Sequence, residues 1–381
     1  MYISKADIIK KLSSLPQSKL IELLRIYESK QDKSRHIEVD QDGLVFEICQ
    51  IPPEVKEEMS SYDECNDSQI SAHNKKWVET IKSLPTKTTK LHKLDKSYLE
   101  YAHEVWIEQI SGLSDIYEKL LLHIVQYLRT GRTRPIIMVG SPGCGKTKVM
   151  LTLGEILDMP IHFANAIQMA KGNGLSGSSK TYVSAAPGEL VEAMVRHKRG
   201  NLIFAIDEVD KTMKYAGHGG DFQDELLNLT SDETSKHHKD NFLGFTIDAS
   251  HLFVIMTAND LEGISEPLKS RCDIISFPEP SEEMIKEILE KHTIPNVIKN
   301  LNCAEYVSVN NEAMAEMVST LFAYGVRDIR KFQAIIENVI NKAFLSSLST
   351  SSPIEVSSEA FKSTINENLL NKKRCIGFSA I

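Results

Sequence analysis

Apolar residues fall into two periods along this chain. Four short runs are apolar almost throughout: Ile136-Ile137-Met138-Val139, Leu202 to Ile206, Leu252 to Met256, and Ile274-Ile275-Ser276-Phe277. Runs of this kind predict strands buried on both faces, as a parallel sheet requires. Around them the spacing is helical. Val149, Met150, Leu153, Ile156 and Leu157 recur at helical intervals after the first strand. Helices are predicted over about 95–108, 114–129, 281–292, 311–323 and 327–346, with a short one near 357–367. Upstream, residues 1 to about 32 read as two short amphipathic helices, the second with Leu20, Leu23, Leu24 and Tyr27 on one face and Ser18 as a cap. Ile37-Glu38-Val39 and Leu44 to Ile48 flank Asp42-Gly43, a hairpin signal. The acidic stretch from Glu54 to Asp67 reads as a linker, and Ser346 to Pro353 as a flexible link. No internal repeat is visible.

Chemistry collects at the ends of the predicted strands. Directly after the first stands Gly140-Ser141-Pro142-Gly143-Cys144-Gly145-Lys146-Thr147, which fits G-x-x-x-x-G-K-[ST]. A polyphosphate needs several backbone N–H groups converging on it, and glycines let the chain curl that closely. Lys146 is the residue to reach the β- and γ-phosphates, and the Thr147 hydroxyl is placed to ligate Mg²⁺. The helix that follows, with Val149 in its first turn, points its positive end at the anion. Strand, glycine loop and helix in that order raise the pattern above chance.

The run ending in Ile206 closes on Asp207-Glu208. α/β sheets place ligands at such strand ends. Asp207 is the candidate metal ligand, and Glu208 the candidate base that polarises an attacking water. The next strand ends in Ala258-Asn259-Asp260, where the Asn259 side chain can position the water or the terminal phosphate. Arg271 precedes the fourth strand, and Arg327 and Arg330 open the last long helix.

Composition narrows the remainder. A net charge of −8 argues against bulk attraction to nucleic acid or anionic lipid. A local patch is still conceivable between Lys75 and Lys96, where seven lysines surround Trp77 and His92; a solvated helical face is the plainer reading. No apolar run approaches a membrane span, and no signal-peptide core opens the chain. Six scattered cysteines without a C-x-x-C pair fit free thiols in a reducing cytoplasm. His218, His237 and His238 lack ligand spacing and read as a solvated loop.

Between these elements the sequence resembles the ATPase module of the Lon family. Ser179-Lys180-Thr181-Tyr182-Val183-Ser184-Ala185-Ala186-Pro187-Gly188 is similar to the family's R-T-Y-[IV]-G-x-x-P-G. Asp207-Glu208-Val209-Asp210-Lys211 is similar to D-E-I-D-K, and Gly220-Asp221 with Glu225 to Leu229 to G-D…A-L-L-E-V-L. Thr257-Ala258-Asn259, Pro267-Leu268-Lys269-Ser270-Arg271 and Gly325-Val326-Arg327 match T-A-N, P-L-x-D-R and G-V-R. Trp77 to Pro85 and Gly112-Leu113 echo W-L-x-x-L-P and Y-G-L. The departures are Ser184 for the pore-loop glycine, Ser111 for the aromatic of Y-G-L, and Ser270 for the acid before Arg271.

The resemblance implies an α/β AAA+ fold: a doubly wound parallel sheet within 71–280, a helical lid over 281–367, a small α+β region over 1–70 and a tail at 368–381. It also implies ATP and Mg²⁺ as cofactors and a homo-oligomeric, hexameric ring acting on a protein substrate. Arg271 becomes the arginine finger given to a neighbouring subunit, Arg327 the sensor-2 residue, and Tyr182-Val183 the loop that grips substrate. The family's Ser–Lys peptidase domain has no counterpart in these residues, so no peptidase activity is expected. A separate peptidase or effector is then a possible partner, and a nucleic-acid motor or loader the alternative.

Overall fold

In chain order, a hairpin comes first, β1 (Ile37–Asp40) against β2 (Gly43–Phe46), antiparallel with Asp40 opposite Gly43. The computed structural model describes residues 37–40, 43–63, 72–172, 174–182, 184–215, 222–350 and 354–364. The helices expected before residue 32, His218 and the tail lie outside the described residues. Helix α1 (Pro53–Asp63) corrects the acidic linker. Val55 is buried, and Met59 and Tyr62 pack against the same core. Those three residues recur at helical spacing among acids that face water, so charge concealed an amphipathic helix. Helix α2 (Ala72–Ser83) buries Trp77, Val78 and Ile81 in that core.

Helix α3 (Lys96–Gln109) starts where Asp95 accepts from the Tyr98 N–H at 2.9 Å. Helix α4 (Ser114–Thr130) leads into β3 (Ile136–Val139). Then follow α5 (Lys146–Leu157), β4 (Ile161–Asn165), α6 (Ala166–Lys171), α7 (Glu189–His197) and β5 (Ile203–Asp207). After α8 (Phe222–Thr230), β6 (His238–Lys239) and β7 (Thr246–Ile247) form a two-stranded antiparallel ribbon. Strand β8 (Phe253–Ala258), helix α9 (Glu266–Arg271) and β9 (Asp273–Ser276) complete the domain.

The five main strands form one sheet in the order β4-β5-β8-β3-β9, every neighbouring pair parallel. Alternation along the strands divides the core in two. Ile136, Met138, Ile203, Ala205, Phe253 and Ile255 join the layer holding α3, α4 and α5. Ile137, Phe204, Ile206, Val254 and Met256 join the opposite layer, with α1, α2, α7 and α8. The apolar runs gave the parallel sheet, and helices on both of its faces make it the doubly wound α/β fold that the resemblance implies.

A lid with its own core follows: α10 (Glu282–Ile288), α11 (Ile294–Leu301), β10 (Val307–Val309), α12 (Asn311–Ala323), α13 (Ile329–Thr350) and β11 (Ile354–Val356). The helix expected to stop near residue 292 continues. A π-helical turn, Leu289–Thr293, joins α10 to α11 and absorbs Pro295, which lacks an N–H for the ordinary ladder. Strands β10 and β11 pair in parallel beside α13, an addition that the helical pattern of the lid did not announce.

Candidate nucleotide site

The sheet register brings the chemistry to one edge. Val139 lies opposite Ala258 on β8 and Ser276 on β9, and Ile206 lies opposite Met256. The loop after β3, the carboxylates after β5 and Asn259 after β8 therefore emerge side by side. The Gly140 N–H donates to Ala258 O at 3.3 Å and ties the loop to β8. Gly143 and Gly145 adopt φ of 78° and 100°, the left-handed region that turns successive N–H groups inward. A side chain built at Gly145 would meet nothing within 4 Å, so open space faces this part of the cradle. Helix α5 begins there with no side-chain cap, leaving its first N–H groups for an anion. Lys146 Nζ donates to Gly140 O at 2.5 Å and Ser141 O at 3.3 Å. Ser141 and Pro142 form the outer turn, and Thr147 is exposed beside them. Cys144 is buried, which pushes its thiol pKa up. Val149 is buried behind the loop, its N–H donating to Gly145 O at 3.0 Å.

Asp207 and Glu208 share one partner on the neighbouring strand. Thr257 Oγ1 donates to Asp207 Oδ1 and accepts from the Glu208 N–H at 3.3 Å. Glu208 itself has φ of 62°. Its carboxylate pairs with Lys211 and accepts from Asn165 Nδ2 at 3.4 Å. The Lys211 ammonium holds the Glu208 carboxyl below the usual carboxylate range, so it is an available base at neutral pH. Asp210 Oδ2 accepts from the Asn259 N–H at 3.2 Å, while its Oδ1 is buried without a partner.

The donor set fits a magnesium nucleotide. The left-handed glycines, the open face at Gly145 and the uncapped start of α5 suit polyphosphate. One hydroxyl, Thr147, and one carboxylate, Asp207, suit a cation that shares its coordination with phosphate oxygens and water.

The other candidates lie farther out. Arg271 ends α9, is exposed, and donates from Nη1 to Leu227 O on α8 at 2.7 Å. Arg327 is turned into the lid: its guanidinium lies 3.4 Å from the Phe322 ring centre and donates to Phe322 O and Val326 O. Asp328 and Arg330, to which sequence reasoning gave no role, lie against the glycine loop instead. Tyr182 is 65 % exposed at the tip of a tight turn, its N–H donating to Ser179 O. Val183 lies outside the described residues. The base of that turn is anchored: Asp240, fully buried, accepts from the Gly188 N–H at 2.8 Å. Lys180 reaches the opposite way. Its Nζ donates to both oxygens of Glu58 on α1, at 2.8 and 2.7 Å, and lies 4.4 Å from the Trp77 ring centre.

Trp77 is 2 % exposed, so it cannot stack on a nucleic-acid base. His238 corrects the solvated-loop expectation: it is buried, with its ring nitrogen 3.2 Å from Leu175 O, while His237 beside it is exposed. Asn165, on a strand with no clear apolar run, and Thr257, seen only as part of a strand end, were missed as partners of the acidic pair. Among the described residues no helix is long and apolar enough to cross a membrane.

Fold and site together define a doubly wound α/β domain with a P-loop and two strand-end carboxylates at one edge of its sheet. Residues 136–279 match the family model described as AAA, ATPase family associated with various cellular activities. The particular kinship lies with Lon proteases. The chain is 29 % identical over 269 residues to "Lon protease homolog 2, peroxisomal" of Caenorhabditis elegans, covering 69 % of this chain and 34 % of that protein. It is 29 % identical over 270 residues to the Lon protease of Borrelia duttonii, covering 70 % and 32 %, and 28 % identical over 312 residues to that of Clostridium beijerinckii, covering 79 % and 38 %. The chain thus spans about a third of the length of these relatives and resembles their ATPase region.

Proposed function

We propose that this chain hydrolyses ATP with Mg²⁺ in a homo-oligomeric ring and uses the cycle to pull on protein substrates. The observation that carries this reading is Thr257, which bonds both Asp207 and Glu208 at the strand edge that also holds the glycine loop. The loop N–H groups and Lys146 hold the phosphates. Thr147 and Asp207 would hold Mg²⁺, whose charge would offset that developing on the transferring group. Glu208 takes a proton from the attacking water, and Asn259, whose N–H donates to Asp210, is the residue assigned to position that water. Arg271 of one subunit completes the site of the next.

The test is Mg²⁺-dependent phosphate release by the purified chain, with and without an unfolded protein. Stimulation by unfolded protein supports the reading. Stimulation by DNA alone transfers it to a nucleic-acid motor. No turnover with Mg²⁺ at any concentration of chain removes it.

The exposure of Tyr182 on an anchored turn supports a substrate-gripping role for the loop. Its flat ring can contact any extended chain without reading sequence. Tyr182→Ala is expected to keep basal ATPase within about twofold, since a 65 % exposed ring contributes little to the core. Stimulation by unfolded protein is expected to vanish. A variant that melts well below the parent would show the ring to be structural.

The proposal assigns pulling, and no peptide-bond cleavage, to these 381 residues. Among the described residues, Cys49, Cys144, Cys272 and Cys303 are all buried. Cleavage of labelled casein that co-elutes with the chain would contradict this. A separate peptidase or effector is the partner such a motor suits.

A further inference from the structure

We infer that Arg330, held by Asp328, is the lid cation that binds the phosphate chain of the nucleotide. The inference rests on the nucleotide-binding reading above and goes beyond it, because family resemblance assigns the lid cation to Arg327. Three observations separate the two arginines.

The first is proximity. Gly143 has no side chain, and the lid occupies the space one would take. A Cβ there would lie 1.8 Å from Asp328 Oδ1 and 3.3 Å from Arg330 Nε. The start of α13 therefore rests directly on the loop that cradles phosphate. The field of Arg330 reaches the loop as well: with Lys146, it favours the thiolate of Cys144, against the larger opposing effect of burial.

The second is orientation. Asp328 precedes α13 and accepts from the Arg330 N–H at 3.0 Å and from Arg330 Nε at 3.2 Å. One carboxylate oxygen thus caps the helix and steadies the arginine. A guanidinium carries five N–H donors, and this pairing uses one. The four on the terminal nitrogens are left for a phosphate, the geometry in which arginine binds best. The Arg330 side chain is 66 % exposed, so desolvation does not oppose exchange of partners. The N-terminal end of a 22-residue helix adds positive potential at the same place.

The third is the state of Arg327. It stacks on Phe322 and bonds two carbonyls of its own lid, Phe322 O and Val326 O. These three contacts hold Arg327 within the lid. Arg330 need only turn beside the loop. Asp328 also explains why a cation is required there. An unpaired carboxylate against the glycine loop would repel phosphate, and Arg330 neutralises it.

Binding of fluorescent ATP and ADP analogues to the full chain tests this. Arg330→Ala is expected to weaken ATP at least about tenfold with an unchanged melting temperature, and Arg330→Lys to recover part of the loss. Asp328→Asn, which removes the negative charge and keeps the cap, is expected to tighten ATP binding. Arg327→Ala is expected to lower the melting temperature and to weaken ATP less than Arg330→Ala does. Wild-type ATP affinity in Arg330→Ala, or a larger loss in Arg327→Ala at unchanged stability, overturns the inference alone. A parent chain that binds neither nucleotide overturns the inference together with the reading beneath it.

Discussion

Glu208→Gln is expected to retain ATP and lower turnover about 10²-fold or more, the loss that follows removal of a general base. The substitution preserves size and the hydrogen bond from Asn165 while removing the charge that takes up the proton. Lys146→Ala acts differently, because it removes a phosphate contact; ATP should then fail to bind or to turn over. Equilibrium binding of a fluorescent nucleotide, read beside single-turnover hydrolysis, separates the two. The pH profile gives an independent check. The Lys211 ammonium and the bond from Asn165 hold the Glu208 carboxyl below its ordinary range. A depressed carboxyl stays ionised as pH falls through the ordinary glutamate range, so the acid limb of the rate should lie below about 4.3, an ordinary glutamate pKa. Full turnover in Glu208→Gln would remove Glu208 from the chemistry.

Arg271→Ala is expected to lower turnover about 10³-fold while leaving ATP bound. Arg271 ends α9 exposed, held by the carbonyl of Leu227, and among the described residues it pairs with no carboxylate. A cation fixed by one backbone contact at the domain surface can serve a site on another copy. Mixing gives the decisive measurement. An Arg271→Ala subunit has an intact cradle, and a Lys146→Ala subunit has an intact arginine. Mixed rings should regain activity that neither variant shows alone. Absence of any recovery, or equal turnover by dilute monomer, would make Arg271 an ordinary surface cation.

The centre of the sheet was legible because strands buried on both faces need unbroken apolar runs, and β3, β5 and β8 have one; β9, at the sheet edge, leaves Ile274 and Ser276 exposed and showed through a broken run. Strand β4 was not legible, and the reason is chemical. His162 occupies a core position, 2 % exposed, where it stacks on Phe204 at 5.6 Å and bonds Glu189 at 2.7 Å. A polar letter at a buried position erases the pattern that marks a strand. Helix α1 was hidden by the opposite effect, since its acids outnumber the three residues that face inward. The glycine loop was legible because its chemistry is local, eight consecutive residues around one anion. What is not local was lost. Asn165 meets Glu208 only because β4 and β5 pair with Asn165 opposite Asp207. Arg327 and Arg330 lie three residues apart near the start of one helix, and no spacing rule says which faces the loop. Contact with Gly143 distinguishes them.

The backbone at Glu208 carries a cost in folding stability. With φ of 62°, this residue stands in a region where any Cβ crowds the backbone, at a cost of about 1 kcal/mol or more. Glycine there would relax the chain. Glu208→Gly should therefore melt about 2 °C higher than the parent while losing its hydrolysis. Stability and turnover pull this position in opposite directions. A lineage released from the need to hydrolyse ATP would gain folding margin by drifting away from glutamate here.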